Sequence, residues 1–296
     1  MPYAELANAL GVKEVYLKRE DQHKYGSHKG RSLPLMIKKY FKEAGATEFV
    51  ISSSGNAALA AVEATQAHNR NNDSKLRLTV FVGQNINPQK MKKLIAIIED
   101  PLIKLEQVEN PKQSAFQMDK DNKAKNLRQS TDDAALEGYF ELAQELDKIP
   151  DLSAIFIPTS SGTTAQALGE AFAKLSQKPQ IHIVQTTACC PIASVIARSE
   201  ERATRQSISN TSTSIADAIV DHIAHRKEKV VAVIKNSHGS GWIVNDDEIK
   251  NAIKLTKDAC NLAISPNSAL SVAGLTKAIQ NDFKWEGSVV CLITGM

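Results

Sequence analysis

No stretch of this 296-residue chain stays apolar for the ~18 positions a membrane-spanning helix needs, and runs such as Val230–Ile234 are strand-sized. The N-terminus shows no basic segment followed by an apolar stretch and a small-residue cleavage site, which leaves the cytosol as the expected compartment. Charge of one sign is also scarce. Lys and Arg number 36 against 33 Asp and Glu, and the basic residues are scattered rather than blocked, so neither a nucleic-acid nor a membrane partner is expected. With 14 glycines and 10 prolines the chain is poorer in both than a disordered or collagen-like sequence would be. The four cysteines, Cys189, Cys190, Cys260 and Cys291, form no C-x-x-C pair; they read as reduced thiols, and no metal site is expected. Neither G-x-G-x-x-G after a strand nor G-x-x-x-x-G-K-[ST] occurs, which puts a nucleotide-binding protein last among the α/β readings.

What is present is a 42% hydrophobic content, enough for a large core in one or two domains. Short β-rich runs alternate with amphipathic segments, the pattern of parallel strands joined by crossover helices, so the fold class is α/β. Strands are expected at 15–18, 48–52, 78–82, 103–108, 154–158, 181–185, 230–234 and 289–294. Helices are expected at 30–42, 57–68, 88–98, 136–146, 165–174, 246–260 and 268–280. Most of the strand runs are continuously apolar, as when helices cover both faces of a sheet. The polar stretches 69–75 and 119–128 read as loops, and no fixed-period repeat interrupts the pattern.

Two strands run directly into small-residue turns that open helices. One is Ile51-Ser52-Ser53-Ser54-Gly55-Asn56-Ala57, the other Ile157-Pro158-Thr159-Ser160-Ser161-Gly162-Thr163-Thr164. Small side chains let several backbone N–H groups converge at the positive end of a helix, so each turn suits an anion, although such turns also serve merely to cap helices. A third segment enters a helix through Gly26-Ser27-His28-Lys29. A lysine at a helix start opposes the local dipole, and desolvation with nearby positive charge lowers an amine's pKa, as a Schiff-base lysine requires; the plain alternative is a solvated surface lysine.

Taken in order, Lys18-Arg19-Glu20-Asp21, Gly26-Ser27-His28-Lys29, Ser53-Ser54-Gly55-Asn56, Ser160-Ser161-Gly162-Thr163-Thr164, Ser265 to Leu275 and Leu292-Ile293-Thr294-Gly295 resemble the motifs of the fold-type II enzymes that use pyridoxal 5'-phosphate. The resemblance spans most of the chain. It implies two open, mostly parallel sheets covered by helices, with a small domain at 44–133 inserted in a large cofactor-binding domain of 1–43 and 134–296, and a homodimer.

Carried over by position, the resemblance makes Lys29 the lysine that forms the Schiff base and later moves the substrate's α-proton, and Asn56 the partner of the cofactor's ring hydroxyl. The cofactor phosphate falls to Ser160, Ser161, Gly162, Thr163 and Thr164, and Thr294 stands against the pyridine nitrogen. Ser53, Ser54, Gly55, Asn56 and Ala57 take the substrate carboxylate, and Ser54 is a second acid or base opposite Lys29. A hydroxyl against the ring nitrogen makes a weaker electron sink than a carboxylate, favouring elimination or replacement over transamination.

Within the superfamily, Ser54 to Ala61, Leu136 to Tyr139 and Ser214 to Ile219 are most similar to threonine synthases, which turn O-phosphohomoserine into threonine and phosphate. Ser161-Gly162-Thr163-Thr164 is closer to cysteine synthases. The alternatives are a serine/threonine ammonia-lyase, a cysteine synthase-like β-replacement enzyme, and a catalytically impaired member acting as a regulatory subunit. Two departures stand out: His28-Lys29-Gly30-Arg31 where the family often has Phe-Lys-Asp-Arg, and Ser265 where a glutamate is common. Lys24, His28 and Arg31 are candidates for a substrate phosphate by proximity alone.

Overall fold

The computed structural model describes residues 1–199 and 213–295, and the chain divides into two compact units. Met1–Asp21 and Tyr139–Met296 form the first, and Gln22–Gly138 form the second. Along the chain, α1 (Ala4–Leu10) and β1 (Glu14–Arg19) open the first unit. The second then follows as α2 (Lys29–Ala44), β2 (Glu48–Ser52), α3 (Asn56–Asn71), β3 (Arg77–Gly83), α4 (Pro88–Ile97), β4 (Ile103–Val108), α5 (Pro111–Lys120), the short β5 (Lys125–Asn126) and α6 (Ala134–Glu137). The chain returns through α7 (Phe140–Leu146), β6 (Leu152–Pro158), α8 (Thr163–Phe172), β7 (Gln180–Thr186), α9 (Ala193–Ser199), α10 (Lys227–Asn236), β8 (Gly241–Val244), α11 (Asp246–Cys260), α12 (Pro266–Gln280) and β9 (Ser288–Ile293). Among the described residues no helix is long and apolar enough to cross a membrane.

The first unit holds a five-stranded sheet ordered β1-β9-β6-β7-β8, with every pairing parallel. All six residues of β9 are buried, which fits its place between β1 and β6. Helix α12 packs on β6, β7, β8 and β9 and buries every residue from Ser268 to Leu275. The second unit holds a four-stranded parallel sheet ordered β4-β3-β2-β5. Its core joins Phe49, Ile51, Leu78 and Val80 of the sheet to Leu33, Met36 and Ile37 of α2 and Ala58, Ala61 and Val62 of α3. The expected inserted segment 44–133 lies within this unit, which also takes in α2 because that apolar face packs here.

Three local expectations are corrected. The run Val230–Ile234 is not a strand but lies in α10: Val230 and Ile234, four apart, are buried while Ala232 between them is exposed, the signature of one helical face. The fifth strand of that sheet is instead β8, short and fully buried. The helix expected at 136–146 is two, α6 and α7, separated at Gly138-Tyr139; a Cβ on Gly138 would sit 2.2 Å from the Arg31 carbonyl oxygen. Residues 119–128, expected as a loop, contribute the end of α5 and β5.

One buried polar cluster fixes the far side of the first sheet. His182 of β7 is fully buried and stacks on Phe156 at 4.5 Å between ring centroids. Its Nδ1 accepts from the Ser240 backbone N–H (3.0 Å) and from Trp242 Nε1 (3.2 Å). The ring proton therefore belongs on Nε2, 3.2 Å from Gln180 Oε1, which also accepts from Trp285 Nε1 at 2.8 Å. Burial pushes the His182 pKa down to about 3.

A folded-state pKa below the unfolded one means the unfolded chain binds the extra proton first, so stability is retained above about pH 6.5 and falls as the pH drops from there towards 3. Acid titration of unfolding, compared between the wild type and His182→Gln, is expected to show a steeper pH dependence in the wild type over that window. Equal slopes would show that His182 is not the group protonated.

Candidate functional site

The two halves of the expected constellation lie at the carboxyl ends of the two sheets. In the second unit β2 ends at Ser52, and Ser53, Ser54 and Gly55 carry the chain into α3 at Asn56. The N-cap of α3, Gly55, is extended and provides no side-chain cap, while its N–H donates to Ser53 Oγ at 3.3 Å. Residues 53–57 are half-buried. The first backbone N–H groups of α3 have no acceptor within the helix, which makes this turn a donor surface.

Lys29 is the first residue of α2. Three residues, 45–47, join α2 to β2, so α2 runs against the direction of β2; α3 leaves the other end of that strand and also runs back along it. The starts of both helices, Lys29 and Asn56, therefore share the carboxyl end of the sheet, and α2 packs on α3. The approach to Lys29 is a tight turn. Gly26 has φ +67° and its N–H donates to the His23 carbonyl at 2.6 Å. A Cβ on Gly30 would lie 2.5 Å from Tyr25 Cβ and 2.8 Å from His23 Nδ1, so this turn has no room for a side chain at position 30. Ser27 is fully buried and its Oγ has no hydrogen-bond partner among the described residues. Of the other cations near Lys29, Lys24 is exposed with its Nζ 4.8 Å from the centre of the Tyr25 ring, and Arg31 is buried in the first turn of α2.

In the first unit β6 ends at Pro158 and residues 159–162 turn into α8 at Thr163. Gly162 has φ +91°, and a Cβ there would lie 2.6 Å from Val230 Cγ2. Thr163 and Thr164 are buried, and the hydroxyls of Ser161 and Thr163 lie 3.0 Å apart. Two groups outside the turn brace it. Gln185, fully buried at the end of β7, donates from Nε2 to the carbonyls of Thr159 (3.2 Å) and Ser160 (3.4 Å), while its Oε1 accepts from the N–H groups of Ile192 and Ala193. Ser160 Oγ donates to Asp221 Oδ2 at 3.2 Å and accepts from the N–H groups of Val220 and Asp221.

Sequence reasoning missed both braces. Asp221 lies 61 residues from Ser160 and carried no signal, whereas a glutamine in the apolar run Ile181-His182-Ile183-Val184-Gln185 was one. Thr294, nearly buried, follows β9, whose neighbour in the sheet is β6, so it shares an edge with the turn after β6. Among the described residues no three His, Cys, Asp or Glu side chains gather as ligands of a metal ion.

Comparison with known proteins matches residues 1–295 to the family described as pyridoxal-phosphate dependent enzyme. The chain belongs to this family. It is a pyridoxal-phosphate-dependent enzyme of fold type II. It is 25% identical over 307 residues to the threonine synthase of Methanosarcina acetivorans, covering 98% of this chain and 72% of that one. Its fold matches maize serine racemase with a TM-score of 0.80 at 17% identity, over 100% of this chain and 86% of that one. It also matches the processed threonine deaminase isoform 2 of Solanum lycopersicum with a TM-score of 0.77 at 20% identity, over 100% and 78%.

The residues present fit the cofactor. Gly162 gives a turn in which no side chain intrudes, α8 opens with two threonines, and the orphaned Ser27 hydroxyl is a buried donor two residues before the lysine. Replacing Gly162 with alanine forces a side chain into a left-handed conformation against Val230. It is expected to lower stability by ~1–3 kcal/mol and weaken cofactor binding, measured by thermal melting and by titration of the apoprotein. Wild-type values in both would show that the turn tolerates a side chain.

Proposed function

We propose that this enzyme is a threonine synthase-like carbon–oxygen lyase, a homodimer that converts O-phosphohomoserine to threonine and phosphate. The observation that carries the reading is the sequence likeness to a threonine synthase over 98% of the chain, together with Ser54-Gly55-Asn56-Ala57 at the start of α3, the run most like those enzymes. Bound pyridoxal phosphate supplies the electron sink for the pair released when the substrate's α-carbon–hydrogen bond breaks.

The chain's own residues supply the rest. Lys29 Nζ is the amine that would hold the cofactor and, as a free amine, would take up and return protons at the substrate carbons. The backbone N–H groups of the turn from Ser160 into the start of α8, with the hydroxyls of Ser161, Thr163 and Thr164, would hold the cofactor phosphate around Gly162, while the Ser160 hydroxyl stays committed to Asp221; the carbonyls on the other side of the turn are occupied by Gln185. Asn56 would hold the ring hydroxyl and Thr294 would stand as the donor to the ring nitrogen. Residues 53–57 bind the substrate carboxylate through the start of α3, and Ser54 Oγ is the second group able to hold a proton. The substrate's carbon–oxygen bond to phosphate breaks with its electron pair on the leaving phosphate, and the oxygen of a water molecule adds at the β-carbon.

Incubating the holoenzyme with O-phosphohomoserine is expected to release phosphate and threonine in equal amounts. Lys29→Ala is expected to lower the rate by about 10²–10⁴-fold, the usual contribution of a positioned acid–base group. Ammonia and a 2-oxoacid from serine or threonine, with no phosphate from O-phosphohomoserine, would assign the enzyme to the ammonia-lyases instead.

A further inference from the structure

We infer that Ser265 and Ser268 are positioning residues for Thr294, acting through a clamp on the backbone of Gly295; the inference rests on the reading that Thr294 faces the cofactor's pyridine nitrogen. The carbonyl oxygen of Gly295 accepts from Ser265 Oγ and from Ser268 Oγ, each at 2.7 Å, and the Gly295 N–H donates back to Ser268 Oγ at 3.3 Å. Gly295 itself has φ +152°, a conformation residues with side chains rarely adopt. Ser265 is the N-cap of α12, accepting from the Ser268 N–H at 3.3 Å, and Ser268 is fully buried in the first turn of that helix. Gly295, which follows β9 and Thr294, is thus tied through both its N–H and its C=O to a helix packed on four strands of the same sheet.

Proton allocation gives the clamp its chemical consequence. A serine hydroxyl has one hydrogen; Ser265 Oγ also has Ser268 Oγ as an acceptor at 3.2 Å, and the shorter contacts of 2.7 Å put both serine hydrogens on the Gly295 carbonyl. Ser268 Oγ lies 3.5 Å from Thr294 Oγ1, at the long limit for a hydrogen bond, so Ser268 supplies no proton to Thr294 and competes weakly for the one Thr294 carries. Holding Gly295 in this way fixes the backbone that carries Thr294, whose hydroxyl is the group an unprotonated pyridine nitrogen needs as a donor. Ser265 suits this arrangement because its hydroxyl both caps the helix and donates to the Gly295 carbonyl, whereas a carboxylate could cap the helix and could not donate.

The test uses Ser265→Asp, Ser265→Thr, Ser268→Ala, Thr294→Val and the double variant Ser268→Ala/Thr294→Val. Each is titrated as apoprotein with pyridoxal phosphate and read by the cofactor's dissociation constant and visible absorption band, with thermal melting of the apoproteins as the check on folding. Ser265→Asp keeps the cap and removes only the donor. It and Ser268→Ala are expected to weaken binding about two- to tenfold, the worth of one hydrogen bond, and to shift the band in the direction of Thr294→Val. Ser265→Thr is expected to retain wild-type values, and Ser268→Ala to have no further effect once Thr294 is Val. If Thr294→Val leaves both readouts at wild type, the reading of Thr294 fails. If Thr294→Val moves them while Ser265→Asp and Ser268→Ala do not, or if Ser268→Ala adds its full effect to Thr294→Val, the clamp is overturned and the serines are structural only.

Discussion

The architecture of the first unit depends on one pairing: the last strand, β9, enters the middle of a sheet whose other strands come from both ends of the chain. Its register with β1 runs from Glu14 opposite Ser288 to Arg19 opposite Ile293, and its other edge pairs with β6. Every residue of β9 is buried, so the strand is held by apolar contact on both faces as well as by hydrogen bonds on both edges. Because all these pairs are parallel, the carboxyl ends of β6 and β9 lie side by side. Thr294 and the turn from Thr159 to Gly162 are neighbours on that edge for this reason alone, the usual placement of ligand-binding groups in open α/β sheets.

The second unit repeats the same physics with different residues. Its sheet is also wholly parallel, and the start of α3 follows the carboxyl end of β2 just as the start of α8 follows that of β6. Both turns forgo a side-chain cap. A helix start left in this way exposes donors and partial positive charge, a cost to the fold that a bound anion offsets. The tight turn into α2 puts a lysine at a third helix start on the same edge as Asn56. Gly26 and Gly30 are required there by a left-handed backbone and by the close approach of Tyr25 and His23.

Much of this was legible in the sequence. Seven of the eight expected strands overlap observed ones, because parallel strands buried on both faces are continuous apolar runs bounded by turn residues. The exception, Val230–Ile234, shows the limit of that signal: five apolar residues in a row fit a strand or one turn of a helix, and the lysines flanking them decided nothing. The strand that replaces it, β8, is four residues that include a glycine and a tryptophan, too short for periodicity to mark. Motif positions were legible as well, since Lys29, Asn56, Gly162 and Thr294 all fall at helix starts or just past a strand end. Their supports were not. Asp221 on Ser160 and Ser265 on Gly295 join residues 61 and 30 apart, and no local pattern encodes such contacts.

The central claim is that Lys29 Nζ is the amine that carries the cofactor, and reduction of the holoenzyme with borohydride followed by tryptic peptide mapping tests it most directly. Hydride addition makes the lysine–cofactor bond permanent, and trypsin does not cleave after a modified lysine. The account predicts a cofactor-bearing peptide running from Tyr25 to Arg31, uncut at Lys29. A reduced adduct on any other lysine, with Lys29 cleaved normally, would contradict it.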